Sequence, residues 1–221
     1  MLRFNTLRTL STVCLLALPM SGAFALPVVY WGYDSGAGSL VVATNSTAAA
    51  AAFDTALPGL SIIDFESATP GFSTTGDGFV RNTQRCSAAL CGYNTTTAGA
   101  NFLDATYNTT FNFSTAIDSF GAYFTGVQRG DATLTYLDGS TTVLTMPAAD
   151  LSNGGTTFFG FSDSGASIAS IAYFTGTGGD YVGVDDIRYG NAGNAVPEPA
   201  TLAILGLGLA GLSISRRRKA S

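Results

Sequence analysis

The sequence predicts an all-β domain: a two-sheet antiparallel β-sandwich, jelly-roll-like, with one short N-terminal helix. Three observations predict it. Thr, Gly, Phe, Tyr, Val and Ile are common while Lys and Glu are scarce, a composition typical of strands. Residues 107–113 follow a two-residue period, in which three aromatic residues and a threonine alternate with asparagine and threonine. Asp138-Gly139-Ser140 separates two further strand-like runs, which is a strong hairpin signal.

The helix is expected first along the domain. Asn45-Ser46-Thr47 offers an N-cap, residues 48–56 are rich in alanine, and Pro58-Gly59 ends the helix. Residues 61–66 then begin the sheet. The remaining strands are expected at residues 107–113, 118–125, 131–137, 141–146, 156–161, 167–174 and 181–189. Turn residues recur between them at the spacing of a sandwich.

Residues 1–25 have the three parts of a signal peptide. Arg3 and Arg8 form a basic region, and an apolar run is centred on residues 13–18. Ala23-Phe24-Ala25 places small residues where a signal peptidase reads them, so we expect cleavage after Ala25. A retained membrane anchor is the weaker alternative, because the apolar run is too short to span a bilayer.

Two cysteines, Cys86 and Cys91, follow the expected cleavage site. Export implies an oxidising compartment, so we expect a disulfide that closes a small loop. A zinc site is not expected, because the chain has no His and the remaining Cys lies in the signal peptide.

The C-terminal end has three parts after a small, polar linker at residues 191–196. Pro197-Glu198-Pro199 comes first, residues 200–214 carry no charge, and Arg216-Arg217-Arg218-Lys219 closes the segment. At about 1.5 Å per residue a helix of this length reaches roughly 22 Å, which is short of the ~30 Å hydrocarbon core of a bilayer. The basic cluster should stay cytoplasmic, which leaves the domain at residues 26–190 on the other side.

This segment, residues 197–221, resembles the PEP-CTERM sorting signal of Gram-negative bacteria. The resemblance implies recognition by an exosortase, cleavage near Pro197-Glu198-Pro199, and a link to exopolysaccharide and biofilm production. A simple single-span anchor is the alternative interpretation.

Charge and composition exclude several function classes. All fifteen acidic residues lie between residues 34 and 198, where only four Arg and no Lys occur, so this region carries a net charge of −11. Such a surface does not favour nucleic acid or anionic lipid, and membrane contact is expected only through the C-terminal helix. The absence of His removes the usual general base and the Ser-His-Asp arrangement, and we therefore expect no enzymatic activity.

The domain itself resembles an ectodomain that recurs in PEP-CTERM proteins and, more distantly, jelly-roll carbohydrate-binding modules. The resemblance is carried by Asp64-Phe65-Glu66 and by residues 113–124, 158–161 and 183–187. It implies a domain that binds glycans without catalysis.

Four carboxylates are the first candidate site: Asp64, Glu66, Asp185 and Asp186. The first and last strands of a jelly roll are often neighbours, and residues two apart on a strand share a face, so these oxygens could hold Ca²⁺ with help from Asp180. Calcium is the one cofactor that the sequence suggests. Two alternatives stay open: exposed strand-end acids that cap turns, and a hydrolase pair formed by Asp64 and Glu66.

Aromatic side chains are the second candidate site. Tyr93 and Tyr181 lie in Gly-rich polar stretches, so we expect both to be exposed and able to stack on sugar rings. Packing in the core or anchoring of a loop is the alternative role.

Together these patterns favour an exported extracellular or surface protein, associated with an exopolysaccharide or biofilm matrix and binding glycan without catalysis. The expected partners are signal peptidase and exosortase during processing, and extracellular polysaccharide afterwards. A secreted carboxylate-dependent enzyme acting on glycans and a self-associating adhesive protein are the alternatives.

Overall fold

The computed structural model describes residues 27–86, 89–127, 130–147, 153–174 and 180–192. These residues form two antiparallel sheets and one α-helix, so the predicted β-sandwich with a short N-terminal helix is confirmed. The expected signal peptide and C-terminal helix lie outside the described residues. Within the described ranges, no helix has the length and apolar character needed to cross a membrane.

Twelve strands are seen in the described part of the chain. They are β1 (Val28–Ser35), β2 (Ser61–Ile63), β3 (Phe72–Gly76), β4 (Phe79–Arg81), β5 (Phe102–Thr106), β6 (Asn108–Ile117), β7 (Ser119–Thr125), β8 (Asp131–Tyr136), β9 (Thr141–Thr145), β10 (Gly155–Ser162), β11 (Ile168–Phe174) and β12 (Tyr181–Gly190). A 3₁₀ turn at Leu40–Val42 leads into the helix α1 (Thr44–Ala56). Strands β8 and β9 form the hairpin predicted at residues 138–140.

The larger sheet has seven strands in the order β1-β10-β7-β12-β5-β4, with β2 also pairing with β12. The smaller sheet has the order β3-β6-β11-β8-β9. Strand β12 is central to the larger sheet. It pairs with β7 along one side, and with β5 and then β2 along the other.

The main core lies between the two sheets. Alternate side chains of each strand point inward, as on β7, where Phe120, Ala122 and Phe124 are almost fully buried. Aromatic rings fill much of this layer, and the Phe120 ring stacks on Phe111 at 5.6 Å and on Phe161 at 6.0 Å between ring centroids. Burying each such side chain stabilises the fold by roughly 1.5–3 kcal/mol.

The helix covers part of the outer face of the larger sheet. Phe53 on the helix is fully buried, and its ring contacts Phe158 at 5.5 Å between ring centroids. Two glycines of the sheet make room for this ring. A Cβ at Gly160 would lie 2.9 Å from the Phe53 ring, and one at Gly121 would lie 3.1 Å from it.

The start of the helix differs from the prediction. Ala43 occupies the N-cap position, and no side chain of the helix itself caps it. The carboxylate of Asp34 on β1 does so instead, accepting hydrogen bonds from the backbone N–H groups of Asn45 (2.9 Å) and Ser46 (2.8 Å). Burial opposes ionisation of Asp34, but hydrogen bonds from Ser46 and Asn45 outweigh it and hold its pKa below the usual 3.8.

Candidate functional site

Residues 89–101, which we call the covering loop, contact the larger sheet at Thr125 of β7 and at Tyr181 of β12. The expected disulfide between Cys86 and Cys91 is present at the start of this loop. The Gly92 N–H donates to the carbonyl of Tyr181 at 2.7 Å. A Cβ at Gly92 would lie 2.1 Å from the backbone nitrogen of Gly183, so only glycine allows the loop to approach β12 this closely.

A β-bulge in β12 brings two of the predicted carboxylates together. Asp185 is opposite Tyr123 and Arg188 is opposite Gly121, so β12 has one residue more than β7 over this stretch. Asp186 adopts a positive φ of 47° at the bulge. The bulge breaks the usual alternation of side chains, and both carboxylates therefore face the covering loop.

Two threonines of the covering loop bind this carboxylate pair. Asp185 Oδ2 accepts a hydrogen bond from the Thr95 N–H at 2.6 Å, and the Thr95 hydroxyl lies 3.1 Å from a carboxylate oxygen of each aspartate. The Thr96 hydroxyl donates to Asp186 Oδ1 at 2.9 Å. The pair thus fastens the middle of the covering loop to the sheet.

The environment of Asp185 opposes its ionisation. Its side chain is fully buried, and desolvation raises its pKa from 3.8 to about 7. The neighbouring charge of Asp186 acts in the same direction, while hydrogen bonds from the backbone of Thr95 and Asp186 partly oppose the shift. Asp185 therefore changes its protonation state near neutral pH.

The other two predicted carboxylates lie beyond the end of β2. This strand ends at Ile63 and Phe65 has a positive φ of 59°, so the expectation that Asp64 and Glu66 share one face of a strand is wrong. Glu66 instead accepts hydrogen bonds from the backbone N–H groups of Ala100 (2.7 Å) and Asn101 (2.6 Å). It fastens the end of the covering loop.

Protein donors therefore occupy the oxygens that the sequence suggested for calcium. The strand that was expected to be the first, now β2, does pair with the last strand, since Ile63 lies opposite Ile187, although β1 precedes it in the chain and pairs with β10. Even so, the described residues contain no group of three or more His, Cys, Asp or Glu side chains that could hold a metal ion. The observed arrangement does not fit a Ca²⁺ ion unless the loop releases its carboxylates, and calcium binding stays a prediction.

The two predicted tyrosines have opposite environments. Tyr93 is only 5% exposed, and its hydroxyl contacts Thr156 Oγ1 and the Ala37 carbonyl, so the expectation that it is exposed is wrong. Burial raises the pKa of Tyr93 to about 12. Tyr181 is the first residue of β12 and is 39% exposed, as expected.

Tyr181 belongs to a surface cluster that we call the Arg-aromatic patch: Phe79, Arg81, Arg85, Asp104 and Tyr181. The Arg85 guanidinium lies 4.7 Å from the centre of the Tyr181 ring and 5.1 Å from that of Phe79, and Arg81 lies 4.8 Å from Phe79. Both arginines reach the same carboxylate oxygen of Asp104 through Nε, at 2.9 Å and 2.6 Å respectively.

Sequence reasoning missed most of this patch. The stretch that contains Phe79, Arg81 and Arg85 holds two of only four arginines in a strongly acidic region, and that concentration was the available signal. Asp104 could not have been found this way, because only the pairing of β4 with β5 places it opposite Phe79. The other carboxylate oxygen of Asp104, Oδ1, is buried without a hydrogen-bond partner.

An open cleft lies on the other side of β4, between the edges of the two sheets. Its volume is about 420 Å³. Phe65, Phe72 and Val80 supply apolar walls, and Ser67 and Thr69 supply hydroxyl groups. The cleft and the Arg-aromatic patch therefore share one short edge strand.

Residues 195–219 match the PEP-CTERM protein-sorting motif. The resemblance found at the C-terminal end is thereby confirmed, and the motif supports an exported protein that an exosortase processes and that is anchored at its C-terminus before processing. No curated protein and no solved structure matches the chain significantly.

Proposed function

We propose that this exported protein binds polysaccharide outside the cell, without catalysis, as a component of an exopolysaccharide or biofilm matrix. The observation that carries the proposal is the Arg-aromatic patch. It combines exposed aromatic rings with guanidinium donors, which is the chemistry that sugar rings and their hydroxyl groups require.

The two rings of the patch are unusually exposed for such side chains. Phe79 is 43% exposed and Tyr181 is 39% exposed, although most large aromatic residues of the described domain lie in its two cores. Arginine contacts hold both rings in place, so less conformational freedom is lost when a ligand stacks on them.

The position of the patch suits a long polymer. Strand β4 is the last strand of the larger sheet and has only three residues, so the patch lies at an open edge of the sandwich. A polysaccharide chain can run along such an edge without having to enter a closed pocket.

Several observations favour binding over catalysis. The chain has no His. Glu66 and Asp185 are held by loop donors, and Asp104 by two arginines. A glycosidase needs two carboxylates that face each other across the substrate, and Asp64 and Glu66 are joined within one tight turn through the Glu66 N–H.

We further propose that signal peptidase and exosortase act on the two ends and leave the acidic domain at the cell surface or in the matrix. Residues 1–25 and the matched motif at residues 195–219 support this route.

The test is affinity electrophoresis of the full chain, in a mild detergent, through gels that contain exopolysaccharide purified from the producing cells. We expect Tyr181→Ala and Phe79→Ala each to weaken retardation roughly two- to tenfold, the range that aromatic contacts contribute. Val143→Ala is the matched control, because Val143 is 60% exposed on the smaller sheet. Unretarded wild-type protein, or equal retardation of wild type and both patch variants, would contradict the proposal.

A further inference from the structure

Two arginines share one buried carboxylate in the Arg-aromatic patch. Arg85 Nε donates to Asp104 Oδ2 at 2.6 Å, and Arg81 Nε lies 2.9 Å from the same oxygen. The Asp104 side chain is 3% exposed, whereas each arginine side chain is 28% exposed. One negative charge therefore faces two positive charges, and the positive groups are the ones that solvent reaches.

Each guanidinium makes its contact with Asp104 through Nε. Because 28% of each arginine side chain is exposed, the outer part of each guanidinium reaches solvent. A guanidinium presents its donors in a planar fork that matches the oxygens of a carboxylate or sulfate group. The patch thus keeps donors available for an acidic ligand.

Arg188 shows the contrasting arrangement. Its Nε donates to Asp54 at 2.7 Å, and its Nη1 donates to the carbonyl of Asp186 at 2.7 Å. One arginine there meets one carboxylate and also uses a terminal nitrogen within the protein. One arginine is enough to balance the charge of one carboxylate, so charge balance alone does not explain why two arginines contact Asp104.

The net charge of −11 for residues 34–198 suggests that the domain prefers neutral ligands. The two arginines that share Asp104 favour an acidic ligand at the patch itself. At physiological salt, exposed charges more than about 8 Å apart are largely screened from each other. Asp77 and Asp180 are the acidic residues that lie near the patch in the sequence. Neither of them contacts Arg81 or Arg85 in an ion pair.

We propose that the patch binds an acidic polysaccharide, whose sugars carry carboxylate or sulfate groups. Arg81 and Arg85 bind the acidic group through their terminal nitrogens, while the rings of Phe79 and Tyr181 contact the sugar. This inference rests on the proposed function and names the substrate class of the same site.

Three forms of one polymer test the inference with the full chain: dextran, carboxymethyl-dextran and dextran sulfate. We expect at least one charged form to bind about tenfold more tightly than dextran, the contribution of one hydrogen bond to a charged group. Raising the salt concentration should weaken this binding. Whichever charged form binds identifies the acidic group. The comparison needs only the wild-type protein, so it does not depend on whether a variant folds.

Arg85→Gln should remove most of the preference for the charged form, whereas Arg85→Lys, which keeps the positive charge, should retain part of that preference. The matched control is Leu137→Glu, which changes the net charge equally at a residue that is 67% exposed and follows β8 of the other sheet. It should leave binding unchanged. Binding of all three dextrans with equal affinity, or equal losses in Arg85→Gln and Leu137→Glu, would overturn the inference.

The two proposals can fail separately. Retardation by the native exopolysaccharide without a preference for charged dextrans would refute the acidic substrate class and leave polysaccharide binding in place. Absence of retardation by the native exopolysaccharide would refute the proposed function itself.

Discussion

The buried carboxylate of Asp185 makes the stability of the domain depend on pH near neutrality. In the unfolded chain its pKa is close to 3.8, and in the folded protein burial raises it to about 7. Between these two values the folded state binds more protons than the unfolded state, so stability must fall as the pH rises. The contribution is fully present below the unfolded pKa and is lost as the pH passes the folded pKa.

The size of the effect follows from the shift. Each unit of pKa corresponds to about 1.4 kcal/mol, so a shift of roughly three units gives on the order of 4 kcal/mol between acidic and alkaline conditions. Most of this loss falls between pH 5 and pH 8. The chain has no His, so the usual side chain that titrates in this interval is absent. Asp34, whose pKa is lowered, affects stability only at lower pH.

The assay is urea unfolding at several pH values from 5 to 8, in wild type and in Asp185→Asn. Wild type should lose about 2–3 kcal/mol of unfolding free energy across this range, because the folded pKa of about 7 lies roughly two units above pH 5, and Asp185→Asn should lose little. The variant should have lower stability at pH 5, because the amide keeps one acceptor oxygen and its NH2 group must face the N–H donor of either Thr95 or Asp186. The slope with pH is therefore the diagnostic quantity.

Asp186→Asn is the matched control. It removes the neighbouring charge but keeps the buried acid, so the pH dependence should shrink without disappearing. Equal slopes in wild type and Asp185→Asn would refute the reasoning, since they would assign the titration to another group.

Four further predictions concern the covering loop and the C-terminal end. Gly92→Ala should cost roughly 1–3 kcal/mol of unfolding free energy, because its Cβ would overlap the backbone of β12, whereas Gly139→Asn in the open β8–β9 turn should cost less. Reduction of the Cys86–Cys91 disulfide should cost about 2 kcal/mol by the loop-entropy relation, and a melting temperature unaffected by reductant would contradict this. The calcium hypothesis predicts heat on titration with Ca²⁺ and a rise in melting temperature that Asp186→Asn abolishes; absence of both effects excludes it. Mass spectrometry of the exported protein should find the chain cleaved near residues 197–199, and an intact C-terminus would argue against exosortase processing.

Local sequence patterns were sufficient for much of the fold. Strands β6 to β12 were predicted from alternation and turn residues, which act over a few neighbouring residues. Strands β1, β3, β4 and β5 were not predicted. Strands β3 and β4 have only three to five residues, and β3 contains one large apolar side chain, so neither shows a period that can be recognised.

The candidate site was predicted less well, because its geometry depends on contacts between distant segments. Tyr93 looked exposed from its Gly-rich surroundings, but the covering loop packs it against Ala37, which follows β1, and Thr156 of β10, both far away in the chain. Asp185 and Asp186 were expected to converge with Asp64 and Glu66 on a Ca²⁺ ion, whereas the bulge in β12 turns both of them toward Thr95.

The sequence by itself determined the strand pattern, the disulfide, the acidic charge and the sorting motif, since each depends on residue type and short-range spacing. Tertiary structure alone decided which carboxylates are buried, which tyrosine reaches solvent, and that Arg81 and Arg85 meet on Asp104. The reason is physical, because the burial and pairing of charges depend on which distant segments pack together. A pattern of strands along the chain does not specify the order of the strands in the sheets or the path of the covering loop.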